Sequence, residues 1–322
     1  MRNADLWGRR SRGKLILGAA AIVALLFLIG IWNAPAVRAQ NATGWQAKAG
    51  GKMAFEVASV KPGRGAFVPS SVPLTPWGDD ITPNGRFRAD VPLRAYIEFA
   101  YKLWPNDPQS REFSHLPKWV ANDRYSIEAR AATGNVTKDQ MRLMVQSLLA
   151  GRFQLAAHFE AREVSVFDLR LAKAGKPGPK LIPHADGPPC DRPGPSPGDG
   201  LPGFPGDCHS LSAIDRPGTK LLLMGSRDVT MDVLAGALSS LFSSGLGRPV
   251  IDKTGLKGRF DFTVEWAHEP RRAAASDSPL PPAPAGPTPF EALRDQLGLK
   301  LEPAKASLPI LVIDRVERPS EN

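Results

Sequence analysis

An uninterrupted apolar segment near the N-terminus, Leu15–Trp32, is the feature that most constrains where this chain folds. It follows a basic patch and precedes a Pro35–Gln40 stretch in which Val37 and Ala39 occupy the −3 and −1 positions of a signal-peptidase site. The segment also has the roughly 18 apolar residues that a membrane-spanning helix needs. We predict that residues 1–39 are a cleaved signal peptide or a retained inner-membrane anchor, and that the rest works in the periplasm or outside the cell.

The charge of the predicted exported part argues against a nucleic-acid-binding protein. Six of the 41 basic residues and one of the 32 acidic residues precede position 40, so the formal net charge falls from +9 to +4. The remaining lysines and arginines are scattered, whereas a nucleic-acid interface requires clustered basic residues with interleaved aromatics. We therefore expect no nucleic-acid partner.

Two cysteines, Cys190 and Cys208, lie in a stretch rich in proline and glycine. In an oxidising compartment their expected state is a disulfide that closes one loop, worth about 3 kcal/mol in the chain-entropy model. The alternative is a zinc site that combines both thiolates with His209 and His184, although no paired spacing pre-arranges these ligands. We predict the disulfide, without a metal or other cofactor.

Two low-complexity segments divide the exported chain. Residues 173–220 are rich in proline and glycine, and residues 267–289 are rich in alanine and proline. Both offer too few apolar groups to offset the entropy of ordering, which predicts a surface loop for the first and a disordered insertion for the second. The ordered blocks are then residues 53–172 and 221–319.

The two blocks show the same order of predicted elements. In each, a strand leads into a helix, a second strand follows, and a second helix begins at a capping box. The boxes pair Thr137 with Gln140 and Thr288 with Glu291. This repetition predicts an α+β fold of two tandem β-α-β-α-β-β units with small mixed sheets, after an N-terminal signal or anchor helix.

Several boundaries follow from turn residues. Gly151 and Gly298 are predicted to end the second helix of each block. The strand that opens the first block is placed at Phe55–Val60. A tight turn is predicted to separate two further strands, Leu155–Glu160 and Val164–Leu171.

The common catalytic signatures are missing from the exported part of the sequence. It contains no G-x-S-x-G, S-x-x-K, H-E-x-x-H or phosphate-binding glycine loop. Five histidines occur, and none has a partner at metal-ligand spacing. This pattern favours a non-catalytic protein and leaves an enzyme as the alternative.

The segment Gly247–Phe262 carries most of the candidate ligand-binding residues. They are Arg248, Asp252, Thr254, Gly255, Gly258 and Asp261. The pattern predicts a strand, a turn with positive φ at both glycines, and a returning strand. Asp252 is expected to accept a hydrogen bond from an amide of the turn, and Arg248 to pair with Asp261 across it. Because free amides in such a turn can hold an anion, a ligand site is the alternative to a purely structural turn.

An aromatic-rich region supplies the other two candidate residues, Trp119 and Arg124. Tyr101, Trp104 and Tyr125 are its neighbours in sequence. Such a group can form a platform for a sugar or a peptide, or a satellite core beneath the loop over residues 103–116.

Five motifs of this sequence resemble, in their order and spacing, those of a known family. They are Phe55–Pro62; Trp119 with Asp123-Arg124-Tyr125 and Ile127-Glu128-Ala129; Gln140–Phe153; Arg248-Pro249-Val250 with Asp252, Thr254-Gly255-Leu256, Gly258 and Asp261-Phe262; and Leu293 with Gln296–Glu302 and Val312–Pro319. The chain is similar to the exported proteins of unknown function that are expanded in soil acidobacteria. That resemblance spans nearly all of the exported part and implies a location and a fold rather than a mechanism.

A weaker resemblance concerns the fold alone. The order of elements over Val229–Val316 is similar to the small N-terminal modules of secretins and TonB-dependent receptors, which bind protein partners in the periplasm.

The first functional hypothesis is therefore a non-catalytic envelope protein that binds another envelope protein or a cell-wall component. The alternative is an envelope hydrolase with a site near Arg248, Asp252 and Asp261.

Overall fold

The computed structural model describes residues 44–63, 65, 69–77, 84–104, 113–186, 189–190, 208–209, 211–216, 219–241, 248–267 and 286–319. The predicted signal or anchor segment, residues 1–39, and most of the predicted insertion, residues 268–285, lie outside this set. Within it, no helix is long and apolar enough to cross a membrane.

The described residues form an α+β fold, as predicted. The helices are α1 (Gly44–Lys48), α2 (Leu93–Ala100), α3 (Trp119–Asn122), α4 (Lys138–Arg152), α5 (Met231–Leu241) and α6 (Pro289–Ala292). A 3₁₀ turn at His184–Asp186 and a π-helical turn at Leu293–Leu297 add to them. The strands are β1 (Val57–Pro62), β2 (Arg86–Pro92), β3 (Arg124–Arg130), β4 (Ala156–Leu171), β5 (Leu181–Pro183), β6 (Leu211–Asp215), β7 (Leu221–Val229), β8 (Val250–Asp252), β9 (Phe260–Ala267) and β10 (Leu299–Arg315).

The first hydrophobic core lies between a three-stranded sheet and two helices. The sheet is antiparallel with the order β1-β3-β2. Helices α2 and α4 supply buried apolar residues that pack with those of the sheet, because apolar positions three and four apart lie on one face of a helix. The buried residues of this core include Phe87, Leu93, Ile97, Ile127, Met141 and Leu149.

Helix α4 begins where the sequence predicts and ends later. The Thr137 hydroxyl accepts from the Gln140 amide at 3.1 Å, and the Gln140 side chain accepts from the Thr137 amide at 2.9 Å, so the capping box is confirmed. The predicted stop at Gly151 is wrong, because α4 continues to Arg152. The left-handed residue that follows the helix is Gln154, with φ of 50°.

The second core lies against a four-stranded antiparallel sheet. Its strand order is β5-β9-β7-β6. Helix α5, α6 and the π-helical turn cover it, and the buried residues include Met224, Leu234, Leu238, Phe262, Leu293 and Leu297. The second predicted capping box and the stop at Gly298, with φ of 67°, are confirmed.

The Pro- and Gly-rich segment contributes two strands that the sequence did not predict. Strands β5 and β6 both fall within residues 173–220 and form the two edges of the second sheet. Leu181 of β5 is 2% exposed and lies in the second core, so a buried side chain and the pairing with β9 both hold this short edge strand.

Two long strands connect the cores. Strand β4 pairs antiparallel with β10 along nearly its whole length, from Leu171 opposite Leu299 to Ala156 opposite Arg315, and β8 pairs parallel with β4. Their outer ends are buried in the two cores, while the middle of each strand is largely exposed. The predicted turn between Leu155–Glu160 and Val164–Leu171 is wrong, because β4 runs through it without the glycine or asparagine that tight hairpin turns favour.

His158 helps to hold one end of this pair of strands. Its ring nitrogens lie 2.8 Å from Asp314 of β10 and 3.0 Å from Glu160 of β4. These hydrogen bonds, first to Asp314 and then to Glu160, raise the pKa of His158. The contacts fit a structural role on the strand surface.

Candidate functional site

The predicted turn between β8 and β9 has the expected local geometry. Asp252 Oδ1 accepts from the Thr254 amide at 2.9 Å and from its hydroxyl at 2.7 Å. Gly255 and Gly258 have φ of 72° and 97°, which confirms the need for glycine at both positions. The Asp252 carboxylate is thus engaged by its own turn.

The predicted pair of Arg248 with Asp261 is wrong. The Arg248 guanidinium lies 5.4 Å from the ring centre of Phe167, a cation–π distance. Asp261 is fully buried, and its Oδ1 lies 2.7 Å from His184 Nδ1 and 2.8 Å from the Asp228 amide. Asp252, Arg248 and Asp261 therefore have separate sets of partners, which weakens the case for a shared catalytic site.

Arg124 makes a structural contact that occurs twice among the described residues. Its Nε donates to Asp90 Oδ1 at 3.0 Å, and its Nη2 donates to the Asp90 carbonyl. Arg259 Nε donates to Asp228 Oδ1 at 2.6 Å, and its Nη2 donates to the Asp228 carbonyl. In both cases an arginine at or next to the start of one strand clamps an aspartate near the end of the preceding strand of that sheet.

The aromatic-rich region separates into three groups. Trp119 packs edge-on against Tyr125 at 6.5 Å, with the Arg318 guanidinium 5.1 Å from its ring centre. Tyr101 contacts Phe159, and Trp104 stacks on a different tryptophan, Trp77, at 4.6 Å. Burial raises the pKa of Tyr101 to about 12 and also raises the pKa of Tyr125, so both phenols stay protonated at neutral pH. Trp119 and Tyr125 thus belong to the first core, as the satellite-core interpretation requires.

A cleft of about 570 Å³ lies between the two cores. Its lining residues are Pro76, Trp77, Lys102 and Trp104 from the first half, and His209, Val229, Thr230, Asp232, Val233 and Arg259 from the second. Gly236 of α5 makes room for the Trp104 ring, since a Cβ built at Gly236 would lie 2.0 Å from that ring. The volume is typical of small-molecule sites, which range from about 300 to 1,000 Å³.

Residues of this lining were missed by the sequence analysis. Trp77 stands outside the predicted elements, and His209, Asp232 and Arg259 are separated from it by more than 130 positions. The local signal that pointed to part of the site was Trp104 in the aromatic-rich region. Among the described residues of the predicted Gly247–Phe262 site, Arg259 alone lines this cleft, and it was not one of the candidates.

A second polar cluster adjoins the cleft around the predicted disulfide. Cys190 and Cys208 are joined, as predicted. Asp228 Oδ2 lies 3.1 Å from His209 Nδ1 and 3.9 Å from Cys190 Sγ. His184 Nε2 lies 3.4 Å from the same sulfur.

The geometry also brings together the residues of the alternative zinc site. His184, Cys190 and Cys208 place their ligand atoms within 4.8 Å of one another, as do Cys190, His209 and Asp228. Both sulfurs are engaged in the disulfide, whereas zinc is bound by thiolates. In the disulfide form these sulfurs are therefore not the thiolate ligands that a zinc ion requires.

A family model for proteins of unknown function, DUF3738, matches residues 94–316. The chain belongs to the DUF3738 family. The DUF3738 region begins in α2 and ends just after β10, so it includes the second half of the fold, the disulfide, most of the cleft and the first half from α2 onward, but not β1 and β2. Comparison with curated proteins found no match, and comparison with solved structures found none either.

Proposed function

We propose that this DUF3738 protein is a non-catalytic binding protein of the cell envelope, and that its cleft binds a saccharide unit of the cell wall. The observation that carries the proposal is the composition of the cleft. Two stacked tryptophans and polar or charged side chains line one space of about 570 Å³. A cleft with an aromatic wall beside a few polar groups is typical of sites for small ligands.

The chemistry of the lining favours a sugar over a purely apolar ligand. Indole rings combine a large apolar face with a polar N–H, which suits a ring that has both C–H and hydroxyl groups. Thr230, Asp232 and His209 add donors and acceptors for hydroxyl groups. The cations of the lining are already paired, Lys102 with Asp139 and Arg259 with Asp228. A cell-wall saccharide presents the C–H faces and the hydroxyl groups that such a lining suits.

The non-catalytic assignment rests on the partners of the candidate residues. Asp252 is held by its own turn, and Arg248 packs over Phe167. Arg124 clamps Asp90, and Trp119 belongs to a core. None of these side chains lines the described part of the cleft.

Binding to the cleft is tested with a soluble cell-wall fragment and tryptophan substitutions. We expect protein purified from cells that express the full chain to bind a muramyl-containing disaccharide, measured by calorimetry and by a change in tryptophan fluorescence. Trp104→Ala should weaken binding at least about tenfold, because it removes an aromatic wall worth more than about 1.4 kcal/mol.

Trp119→Ala is the matched control, since Trp119 is a half-buried tryptophan outside the cleft. It should leave the affinity within about twofold. Thermal unfolding of each variant shows whether it is folded. Equal affinities for Trp104→Ala, Trp119→Ala and the original protein would count against the proposed cleft, and absence of binding by the original protein would count against a saccharide ligand.

We further propose that the chain is exported, with residues 1–39 as signal peptide or inner-membrane anchor. The support is the apolar segment, the disulfide between Cys190 and Cys208, and the resemblance to exported proteins of soil acidobacteria. The weaker resemblance to secretin and TonB-receptor modules also fits a periplasmic location. An envelope protein is then a second class of partner for the same chain.

Export is tested by a fusion of alkaline phosphatase to the C-terminus, because this enzyme requires the oxidising periplasm. We expect activity from the full chain and loss of activity when residues 15–32 are deleted. Mass spectrometry then distinguishes the two forms, since cleavage leaves Gln40 as the first residue and an anchor retains the whole N-terminus. An inactive fusion that fractionates with the cytoplasm would contradict export.

We also infer that the two halves arose from one duplicated unit. The aspartate–arginine clamp occurs in both halves with the same atoms, Asp90 with Arg124 and Asp228 with Arg259. Both halves begin a helix with a capping box and follow it with a left-handed residue, Gln154 or Gly298. The long strand that follows in each half pairs with that of the other half.

A further inference from the structure

A carboxylate, an imidazole and a sulfur contact one another in a row next to the cleft. His184 Nδ1 is 2.7 Å from Asp261 Oδ1, and His184 Nε2 is 3.4 Å from Cys190 Sγ. Asp261 is fully buried, and its Oδ2 has no hydrogen-bond partner among the described residues. Cys190 is an exposed residue, so this series of groups ends at the protein surface.

This order of groups is the one that stabilises a cysteine thiolate. A carboxylate on one ring nitrogen orients the imidazole and fixes its proton on that side. The other ring nitrogen then faces the sulfur, where it can hold a proton taken from the thiol. A thiol beside such a histidine ionises more readily than an isolated one.

We propose that Cys190–Cys208 is a redox-active disulfide that exchanges with an external dithiol, with Cys190 as the leaving group and His184 as its proton partner. The class of co-reactant is a small or protein-borne dithiol. Asp261 is a positioning residue, because it acts through His184.

The exchange balances in two steps. The first thiol of the dithiol gives up its proton, which passes to His184 Nε2, and the resulting thiolate attacks Cys208 Sγ. The bond between the two protein sulfurs breaks, and Cys190 leaves with the electron pair as a thiolate beside protonated His184. The second thiol of the dithiol, as its thiolate, then attacks the first sulfur of the dithiol, which is bonded to Cys208 in the mixed disulfide. This releases Cys208, which takes up the second proton. Two electrons and two protons pass from the dithiol, which becomes a disulfide, to the protein, which gains two thiols.

Two further charged groups lie near Cys190 and act in opposite directions. Arg227 Nη2 donates to the carbonyl of Pro189 at 2.9 Å, which places a guanidinium beside the backbone that precedes the cysteine. Asp228 Oδ2 lies 3.9 Å from the sulfur and opposes a thiolate. The Arg259 guanidinium, whose Nε lies 2.6 Å from Asp228 Oδ1, offsets the charge of that carboxylate.

The first test compares the two cysteines as single thiols. Cys208→Ser leaves Cys190 beside His184, and Cys190→Ser leaves Cys208 instead. We expect iodoacetamide at pH 6.5, with a chelator present, to alkylate the first variant at least about tenfold faster than the second, because a free thiol of ordinary acidity is only about 1% ionised there. In denaturant the two rates should be equal, which would show that the difference arises in the folded protein.

The second test uses the intact disulfide and needs no cysteine substitution. Reduction by limiting dithiothreitol at pH 6.5 is followed by trapping the new thiols with a maleimide. His184→Ala and His184→Gln should both slow the reduction at least about fivefold, since glutamine can bond Asp261 but cannot hold the proton.

His158→Ala is the matched control, because His158 also contacts two neighbouring groups on a strand surface but belongs to the β4–β10 pair. It should leave the reduction rate unchanged. Equal rates for His184→Ala, His158→Ala and the original protein would overturn the proposal. A slow rate in His184→Ala that His184→Gln restores would also overturn it, because hydrogen bonding alone would then explain the effect.

Discussion

Replacing Gly178 by alanine is expected to lower the free energy of unfolding by about 3 kcal/mol or more. A Cβ built at Gly178 lies 2.3 Å from the backbone nitrogen of Gly298 and 2.4 Å from the carbonyl carbon of Leu297. Both are backbone atoms at the end of the π-helical turn, so no side chain can rotate away. The overlap requires the two segments to separate.

Separation of these segments costs further contacts. The Gly178 amide donates to the Leu297 carbonyl at 2.8 Å, and the Lys180 amide donates to the Gln296 carbonyl at 2.9 Å. Strand β5 begins directly afterwards at Leu181, so its edge position in the second sheet depends on the same approach. The second core should therefore lose part of its edge together with the two hydrogen bonds.

Gly151→Ala is the matched control for this substitution. Gly151 lies in the last turn of α4, and nothing is within 4 Å of a Cβ built there. Alanine favours a helix over glycine by about 1 kcal/mol, so this variant should be unchanged or slightly more stable. Urea denaturation followed by circular dichroism measures the free energy of unfolding of both variants. A Gly178→Ala variant as stable as Gly151→Ala would show that the backbone approach is looser than described.

Features set by neighbouring residues were predicted well from the sequence. Both capping boxes, the turn at Asp252 and the positive φ of Gly255 and Gly258 depend on side chains within a few positions of one another. The disulfide also follows from there being two cysteines, Cys190 and Cys208, and a proposed oxidising compartment. In the caps and the turn the partner residue is close in sequence. In the disulfide the sequence offers each cysteine one possible partner.

Features set by distant partners were not predicted. Strand β4 is continuous because β10, about 140 residues away in sequence, supplies a partner along its whole length. Gly178 belongs to a segment that composition assigns to a loop, yet its lack of a side chain serves a contact with Leu297 and Gly298. Neither contact leaves a periodic pattern in the sequence.

In the candidate site, too, the local features were predicted and the contacts between distant residues were not. The sequence placed a ligand site around Asp252 because its turn chemistry is visible locally, and that chemistry is fully used by the turn. The cleft instead combines Trp77 with Arg259, which are brought together by the packing of the two halves. His184 and Asp261 meet across β5 and β9, 77 positions apart, so sequence spacing could not reveal their contact.

The aspartate–arginine clamps provide the second prediction of large effect. Double-mutant cycles that combine Asp90→Ala with Arg124→Ala, and Asp228→Ala with Arg259→Ala, should each give a favourable coupling free energy of about 1 to 2 kcal/mol. Removing either aspartate alone should cost about 2 kcal/mol, because it leaves a partly buried guanidinium without its carboxylate. The value is below that of a fully buried pair, since the side chains of Arg124 and Arg259 are 33% and 46% exposed.

The exposed pair of Lys305 with Glu163 is the matched control for these cycles. Its charged groups are 3.0 Å apart across β10 and β4, and both side chains are about 70% exposed. Solvent-exposed ion pairs contribute little, so its coupling should stay below about 0.5 kcal/mol. Similar couplings in the two clamps would support one inherited contact at the junction of strand and helix in each half. A clamp coupling as small as that of the control, in either half, would mean that the repeated geometry carries no shared energetic role, and the duplication would lose its strongest support.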